Sequence, residues 1–163
     1  MDSILELIRD CEVRHFDPGQ IVIQQGEKTD RLYFLIEGAV QVLKDGVPVA
    51  AASQPGIVFG EMAALLGGNH TATVRAMKRC AFYVVGNPRD FLKASPAVCL
   101  HVCELLARRL DALNSYLVDV KGQFEGHDHL GMVDEVLEAL LHRQPRDRVR
   151  PKESTIRGGE LPD

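Results

Sequence analysis

The chain has 163 residues, of which 45% are hydrophobic, and a formal net charge of -4 at pH 7. This length and apolar content predict one sizeable core in a single domain with appendages. The acidic balance gives no indication of a polyanion partner. Neither a stretch of the roughly 20 apolar residues that span a bilayer nor a basic-then-apolar leader is evident. We therefore expect a cytoplasmic protein that does not associate with membranes.

The N-terminal segment, residues 1–12, is predicted to contain a short amphipathic helix. Its apolar residues between Ile4 and Ile8 fall on one broad stripe, and Asp2 or Ser3 can cap the first turn. We expect this helix to pack on the structure that follows it.

Residues 13–85 change to short β-prone runs that alternate with turn residues. Pairs such as Pro18-Gly19 and Asp45-Gly46 between the runs are typical of tight turns. Short strands at this spacing predict an antiparallel sandwich or barrel. The predicted strands are 13–16, 20–25, 31–36, 39–44, 47–52, 57–59, 71–77 and 81–85.

The segment from Phe59 to Ala76 carries the strongest functional signal. Gly60 separates an apolar strand from a helix-forming segment that begins at Glu61, so backbone N–H groups lie beside a residue that permits close approach. This arrangement suits an anion, and the Glu61 carboxylate can accept hydrogen bonds from sugar hydroxyls. The chain from His70 onward is expected to return to the same place. These features predict a site for a phosphorylated sugar.

This segment resembles the phosphate-binding cassette of cyclic-nucleotide-binding domains, a family that includes bacterial catabolite activator proteins and cyclic-nucleotide-regulated kinases and channels. The likeness extends over about residues 16–120, because the glycine-marked turns also fit the β-roll of that family. The resemblance implies a mainly β domain with flanking helices, an antiparallel, jelly-roll-like β-roll followed by a long helix. It also implies cyclic AMP or cyclic GMP as the candidate ligand, with no further cofactor. The implied ligand-binding residues here are Phe59, Gly60, Glu61, Met62, Ala63, His70, Thr71 and Ala72.

Position 70 departs from the family pattern, which has Arg nine residues after the Glu. The imidazole of His70 is charged only part of the time at neutral pH, whereas Arg is permanently charged. We therefore expect nucleotide binding to be weak and pH-dependent. Thr71 falls at the family position beside the base, where a hydroxyl that accepts from the guanine amino group would slightly favour cyclic GMP.

Ser95 and Pro96 predict the start of a long helix that reaches about Val120. Apolar residues recur along it at alternating spacings of four and three, the heptad pattern of a coiled-coil seam. A second apolar set around Val102 lies off the seam and is expected to pack on the β-roll. The pattern predicts a homodimer; the alternative is a helix that wraps entirely on its own barrel. The seam consists of Cys99, Cys103, Leu106, Leu110, Leu113, Leu117 and Val120.

In the resembling activators this helix forms the dimer axis and closes over the base. Residues 107–110, Ala-Arg-Arg-Leu, match their sequence, and Asn114 falls where their base-contacting side chains occur. The resemblance therefore implies that Asn114 contacts the ligand and that the helix carries the signal.

The domain is predicted to span residues 13–121. Residues 122–144 are expected to form a linker and a short amphipathic helix, and residues 145–163 a disordered tail. This C-terminal region is too short and too polar for the winged helix-turn-helix of the activators, so no DNA binding is expected.

Catalysis is the competing class of function. A cupin-like metalloenzyme needs several His and a carboxylate on inward-facing strands, whereas the strand region offers only His15 and His70. No Ser, Cys, His or Asp spacing singles out a nucleophilic site. We expect a stand-alone, metal-free and non-enzymatic sensor that reports to an unidentified protein partner. The alternative is a degenerate domain that has lost nucleotide binding and acts as a dimeric interaction module.

Overall fold

The computed structural model describes residues 3–123 and 135–136 of the chain. Each predicted strand overlaps an observed one, which confirms the strand assignment. The predicted linker with its short helix (122–144) and the predicted tail (145–163) lie outside the described residues, apart from 122–123 and 135–136. In chain order the elements are α1 (Ile4–Leu7), β1 (Glu12–Phe16), β2 (Ile21–Ile23), β3 (Arg31–Glu37), β4 (Val40–Lys44), β5 (Val47–Ala52), β6 (Val58–Phe59), α2 (Glu61–Leu66), β7 (Thr73–Ala76), β8 (Cys80–Gly86), α3 (Pro88–Ala94) and α4 (Pro96–Gln123).

The strands form two four-stranded antiparallel sheets, β1-β8-β3-β6 and β2-β7-β4-β5. An apolar core composed of side chains from both sheets contains the fully buried Phe82. Its ring meets those of Phe16, Tyr33 and Phe59 edge-on, at centroid distances of 5.7, 6.2 and 6.3 Å. This packing fixes Phe59, the residue that leads into the cassette.

The first sheet is covered on both faces. Tyr33 and Leu35 of β3 point into the core between the sheets, whereas Leu32 and Phe34 pack with α1, α2, α3 and α4. Because both faces are buried, residues 32–35 form a continuous apolar run instead of alternating with polar residues. The architecture is the expected mainly β fold, an antiparallel β-roll with flanking helices and a long C-terminal helix.

The second sheet has an exposed outer edge, strand β5. Val47 and Val49 are each 60% exposed. Val42 pairs with Ala50 and Leu43 pairs with Pro48, so Val49 is an extra residue in a β-bulge.

Helix α4 is attached to the roll by its first turns. Val98 and Val102 are buried in the apolar cluster between the helices and the outer face of the first sheet, here called the helical core. Their burial is expected from their position off the seam. The imidazole Nε2 of His101 lies 2.8 Å from the carbonyl oxygen of Gly56, in the turn before β6. A first compact unit ends at Leu110 and a second begins at Asp111, so the described part of the second unit is the end of α4 with residues 135–136.

Candidate functional site

The junction between β6 and α2 is built on a glycine that no other residue can replace without rearrangement. Gly60 has a φ of 87°, in the left-handed region, and precedes the first residue of α2. A Cβ atom at this position would lie 2.6 Å from the carbonyl oxygen of Arg31. Within the described part of the chain, no side chain caps the first turn of α2. The absence of a side chain at Gly60 therefore lets the backbone pass close to the carbonyl of Arg31.

Glu61, the first residue of α2, is only 4% exposed. Its Oε1 atom forms an ion pair with Nη1 of Arg109 on α4. Nη2 of the same guanidinium donates to the carbonyl oxygen of Val58 at 2.7 Å. Burial raises the pKa of Glu61, and the nearby Arg109 opposes that rise. Arg109 therefore ties α4 to both β6 and α2.

Arg109 is a site residue to which sequence reasoning assigned no role. The two partners of the ion pair are 48 residues apart in the chain. The only available signal was the Ala-Arg-Arg-Leu match at residues 107–110, which does not say what either arginine contacts.

His70 is buried beside the glycine junction, with 5% of its surface exposed. A Cβ atom on Gly60 would lie 3.4 Å from its Cε1 atom. Its backbone N–H donates to the carbonyl oxygen of Glu27 at 2.8 Å, and its carbonyl oxygen accepts from the N–H of Gly26 at 2.9 Å. Nε2 lies 2.7 Å from Oγ1 of Thr29. The structure thus brings the 69–71 segment back to the start of α2, as the sequence predicted.

The environment of His70 favours the neutral imidazole. Burial lowers its pKa below the ordinary value of 6.5, and the negative charge of Glu27 offsets part of that effect. The cassette therefore holds no fully charged group at the position where the family pattern has Arg.

The other predicted site residues differ in accessibility. Phe59 is buried, Ala63 and Ala72 are half-buried, and Met62 and Thr71 are exposed. Asn114 lies on α4, within the unit that begins at Asp111, and its side-chain oxygen is buried without a hydrogen-bond partner among the described residues.

The seam residues of α4 fall into two groups. Cys99 and Leu106 are partly buried against the helical core of the chain itself. Leu110 and Leu113 are 43% and 48% exposed. Cys103 is also exposed, whereas Leu117 and Val120 are half-buried. The accessible apolar surface of the seam therefore lies mainly towards the C-terminal half of the helix.

Neither a metal site nor a membrane segment is found in the part of the chain that the structure describes. Across residues 3–123 and 135–136, no three or more His, Cys, Asp or Glu side chains are grouped as metal ligands. None of the helices within those ranges has the length and apolar content to cross a bilayer.

Comparison with known proteins adds a family match. A family model described as "Cyclic nucleotide-binding domain" matches residues 13–94. The chain is similar to the cAMP-dependent protein kinase regulatory subunit of Yarrowia lipolytica, with 35% identity over 82 residues, which is 50% of this chain and 22% of that protein. It spans about a fifth or less of the length of the curated relatives that it matches.

Two solved structures share the fold. The catabolite activator protein of Thermus thermophilus matches with a TM-score of 0.59 and 21% identity, over 86% of this chain and 81% of that one. A structure described as "Sp-2Cl-cAMPS bound to PKAR CBD2" matches with a TM-score of 0.56 and 24% identity, over 74% of this chain and 80% of that one.

Replacing Arg109 by Met should destabilise the protein, because the Glu61 carboxylate would stay buried without its partner. We expect the free energy of unfolding at neutral pH to fall by about 1–3 kcal/mol, towards the lower figure because the guanidinium is partly exposed. Arg108→Met is the matched control, since Arg108 is exposed on the same helix. Urea unfolding of both variants measures the difference.

The pH dependence of this loss has a definite sign. Since the pKa of Glu61 is raised in the folded protein, protonation favours folding, and this contribution is lost as pH rises through the folded pKa. Without Arg109 the pKa of Glu61 rises further, so stability depends more steeply on pH. The free energy of unfolding of the variant should therefore approach that of wild type as pH falls from about 7 to 5. A loss of unfolding free energy that is constant over this pH range, or an equal loss in Arg108→Met, would contradict the assignment.

Proposed function

Because this chain belongs to the cyclic nucleotide-binding domain family, we propose that it is a regulatory sensor domain that binds cyclic AMP or cyclic GMP. In this proposal the ligand occupies the cassette at residues 59–73, and α4 carries the signal. The domain is non-enzymatic and cytoplasmic, and it acts on a protein partner still to be identified.

The observation that carries this proposal is the family match over residues 13–94, which contains the whole cassette. Within the cassette, Gly60, Glu61 and His70 lie together at the start of α2. The Yarrowia relative is described as cAMP-dependent and one structural neighbour as bound to Sp-2Cl-cAMPS, which supports a cyclic nucleotide as the ligand class.

The cassette residues take different roles in the proposed complex. The cyclic phosphate lies against the backbone N–H groups that follow Gly60 and beside His70. The sugar hydroxyls donate to the buried carboxylate of Glu61. Thr71 contacts the base. Phe59, Met62, Ala63 and Ala72 shape the remainder of the site.

The signal passes through the contact between Glu61 and Arg109. A sugar hydroxyl that donates to Glu61 shares this carboxylate with the guanidinium that holds α4. Ligand binding therefore changes the hydrogen bonds of Arg109 and, through them, the attachment of α4 to β6 at Val58.

The exposed end of the seam supports a homodimer as part of the same proposal. Leu110 and Leu113 present apolar surface at heptad spacing on a helix that continues to Gln123. A second copy of α4 would cover this surface in a parallel pair.

Calorimetric titration with cyclic AMP, cyclic GMP and 5′-AMP tests the proposed function directly. We expect both cyclic nucleotides to bind, with a small preference for cyclic GMP, and the linear nucleotide to bind more weakly or not at all. Absence of heat from either cyclic nucleotide at millimolar concentration would overturn the sensor function and favour the interaction module.

His70 should make binding pH-dependent. The negative phosphate favours the imidazolium, so ligand raises the pKa of His70 from its lowered value and binding takes up a proton. Affinity should therefore increase as pH falls from about 8 to 6, and continue to increase until the pH is below the pKa of the free protein. Titration at several pH values in two buffers of different ionisation enthalpy measures this uptake.

The matched variants are His70→Arg and His70→Asn. The arginine variant should bind about ten- to a hundredfold more tightly at pH 8, with little pH dependence, because its charge is permanent. The asparagine variant should bind weakly at every pH. Equal pH profiles for wild type and His70→Asn would show that His70 does not contact the phosphate.

Replacing Leu110 and Leu117 together by Asp should convert the dimer into a monomer, because both positions lie on the seam. Leu100→Asp is the control, since Leu100 lies off the seam and is 61% exposed. Light scattering after size-exclusion chromatography measures the mass of each protein. A monomeric wild type at tens of micromolar would contradict the proposed dimer.

A further inference from the structure

Lys44 is the last residue of β4, and its side chain begins on the inner face of the second sheet. Val40, Val42 and Lys44 alternate along one face of the strand. Val40 is fully buried in the core between the sheets, and Val42 packs against that core. The inward-facing side chains of β4 are therefore apolar at Val40 and Val42 and cationic at Lys44, the end of the strand.

The ammonium group of Lys44 reaches the cassette. Its Nζ donates to the carbonyl oxygen of Thr71 at 3.3 Å, although the two residues are 27 positions apart. Thr71 directly follows His70 in the chain. A lysine on a neighbouring strand thus brings a positive charge to within one residue of the position where the family pattern has Arg.

Among the described residues, 3–123 and 135–136, this charge has no ion-pair partner. The adjacent carboxylate of Asp45 instead accepts from Nε2 of Gln25 at 2.7 Å. Lys44 is also exposed, so its flexible stem leaves the ammonium able to move from a neutral carbonyl to a stronger acceptor.

We propose that Lys44 supplies the permanent positive charge for the ligand phosphate in this domain, in place of the arginine that His70 replaces. The inference rests on the proposed function, because it names a residue that binds the same ligand. A phosphate is a stronger acceptor for an ammonium group than the Thr71 carbonyl, since both partners are then charged. Lys44 is accordingly a specificity-determining residue for anionic ligands, and β4 is part of the anion site.

Titration of cyclic AMP into Lys44→Gln, Lys44→Arg and Lys78→Gln tests the assignment. Lys78→Gln removes the same charge as a control. Lys78 lies beside the opposite end of β4, where its backbone N–H donates to the carbonyl oxygen of Ala39. We expect Lys44→Gln to weaken binding by about ten- to a hundredfold, and the other two variants to remain within about threefold of wild type. The affinity of Lys44→Gln should also depend less on salt concentration.

A double-mutant cycle with His70→Arg tests whether Lys44 takes the role of the missing arginine or only lies near the ligand. With Arg at position 70, Lys44→Gln should reduce the affinity for cyclic AMP much less than it does in wild type, because the phosphate then already has a permanent cation. Equal losses in both backgrounds would overturn the inference. So would a Lys44→Gln variant that binds as wild type does, or a Lys44→Arg variant as weak as Lys44→Gln.

The controls distinguish a failure of the Lys44 inference from a failure of the proposed function. If wild type binds cyclic AMP but the Lys44 variants do not differ, the sensor function stands and the role of Lys44 falls. If neither wild type nor His70→Arg binds cyclic nucleotide, the proposed function is overturned and the inference with it. Thermal unfolding of Lys44→Gln should match wild type, since Lys44 makes an exposed contact; a large drop would instead indicate a structural role and contradict the assignment.

Discussion

The carboxylate of Glu61 lies almost entirely out of water, and much of the arrangement around the cassette follows from that burial. A buried carboxylate needs a compensating charge, which Arg109 provides from α4. The same guanidinium also satisfies the carbonyl of Val58, so β6, α2 and α4 meet in one group of hydrogen bonds. Moving any of the three would leave a polar group unpaired in a place that water reaches poorly.

The first sheet provides the rigid support for these contacts. Its central strand β3 is buried on both faces, between the core of the roll and the layer of helices. Gly60 follows the short strand β6 that pairs with β3, at Tyr33↔Phe59 and Phe34↔Val58. The left-handed turn at Gly60 is therefore held by pairing with a strand that is buried on both faces, although β6 itself has only two residues.

Local sequence signals were sufficient to predict the strands and the start of α2 after Gly60, because turn glycines and alternating apolar residues are properties of neighbouring positions. They also predicted the return of His70 to Gly60. They did not identify Arg109 or Lys44, whose partners lie 48 and 27 residues away. Nor did the heptad spacing reveal that Cys99 and Leu106 pack partly on the chain itself. Periodicity defines a helix face, but the neighbour that covers this face is decided by tertiary packing.

The edge strand β5 has a consequence for the behaviour of the protein at high concentration. Six apolar residues at the border of a sheet would ordinarily offer unpaired backbone groups to the same strand of another molecule, which is a route to fibrillar aggregates. Pro48 has no N–H to offer, and the bulge at Val49 breaks the regular spacing of the remaining donors. The strand can therefore remain open to water without acting as a template for amyloid-like growth.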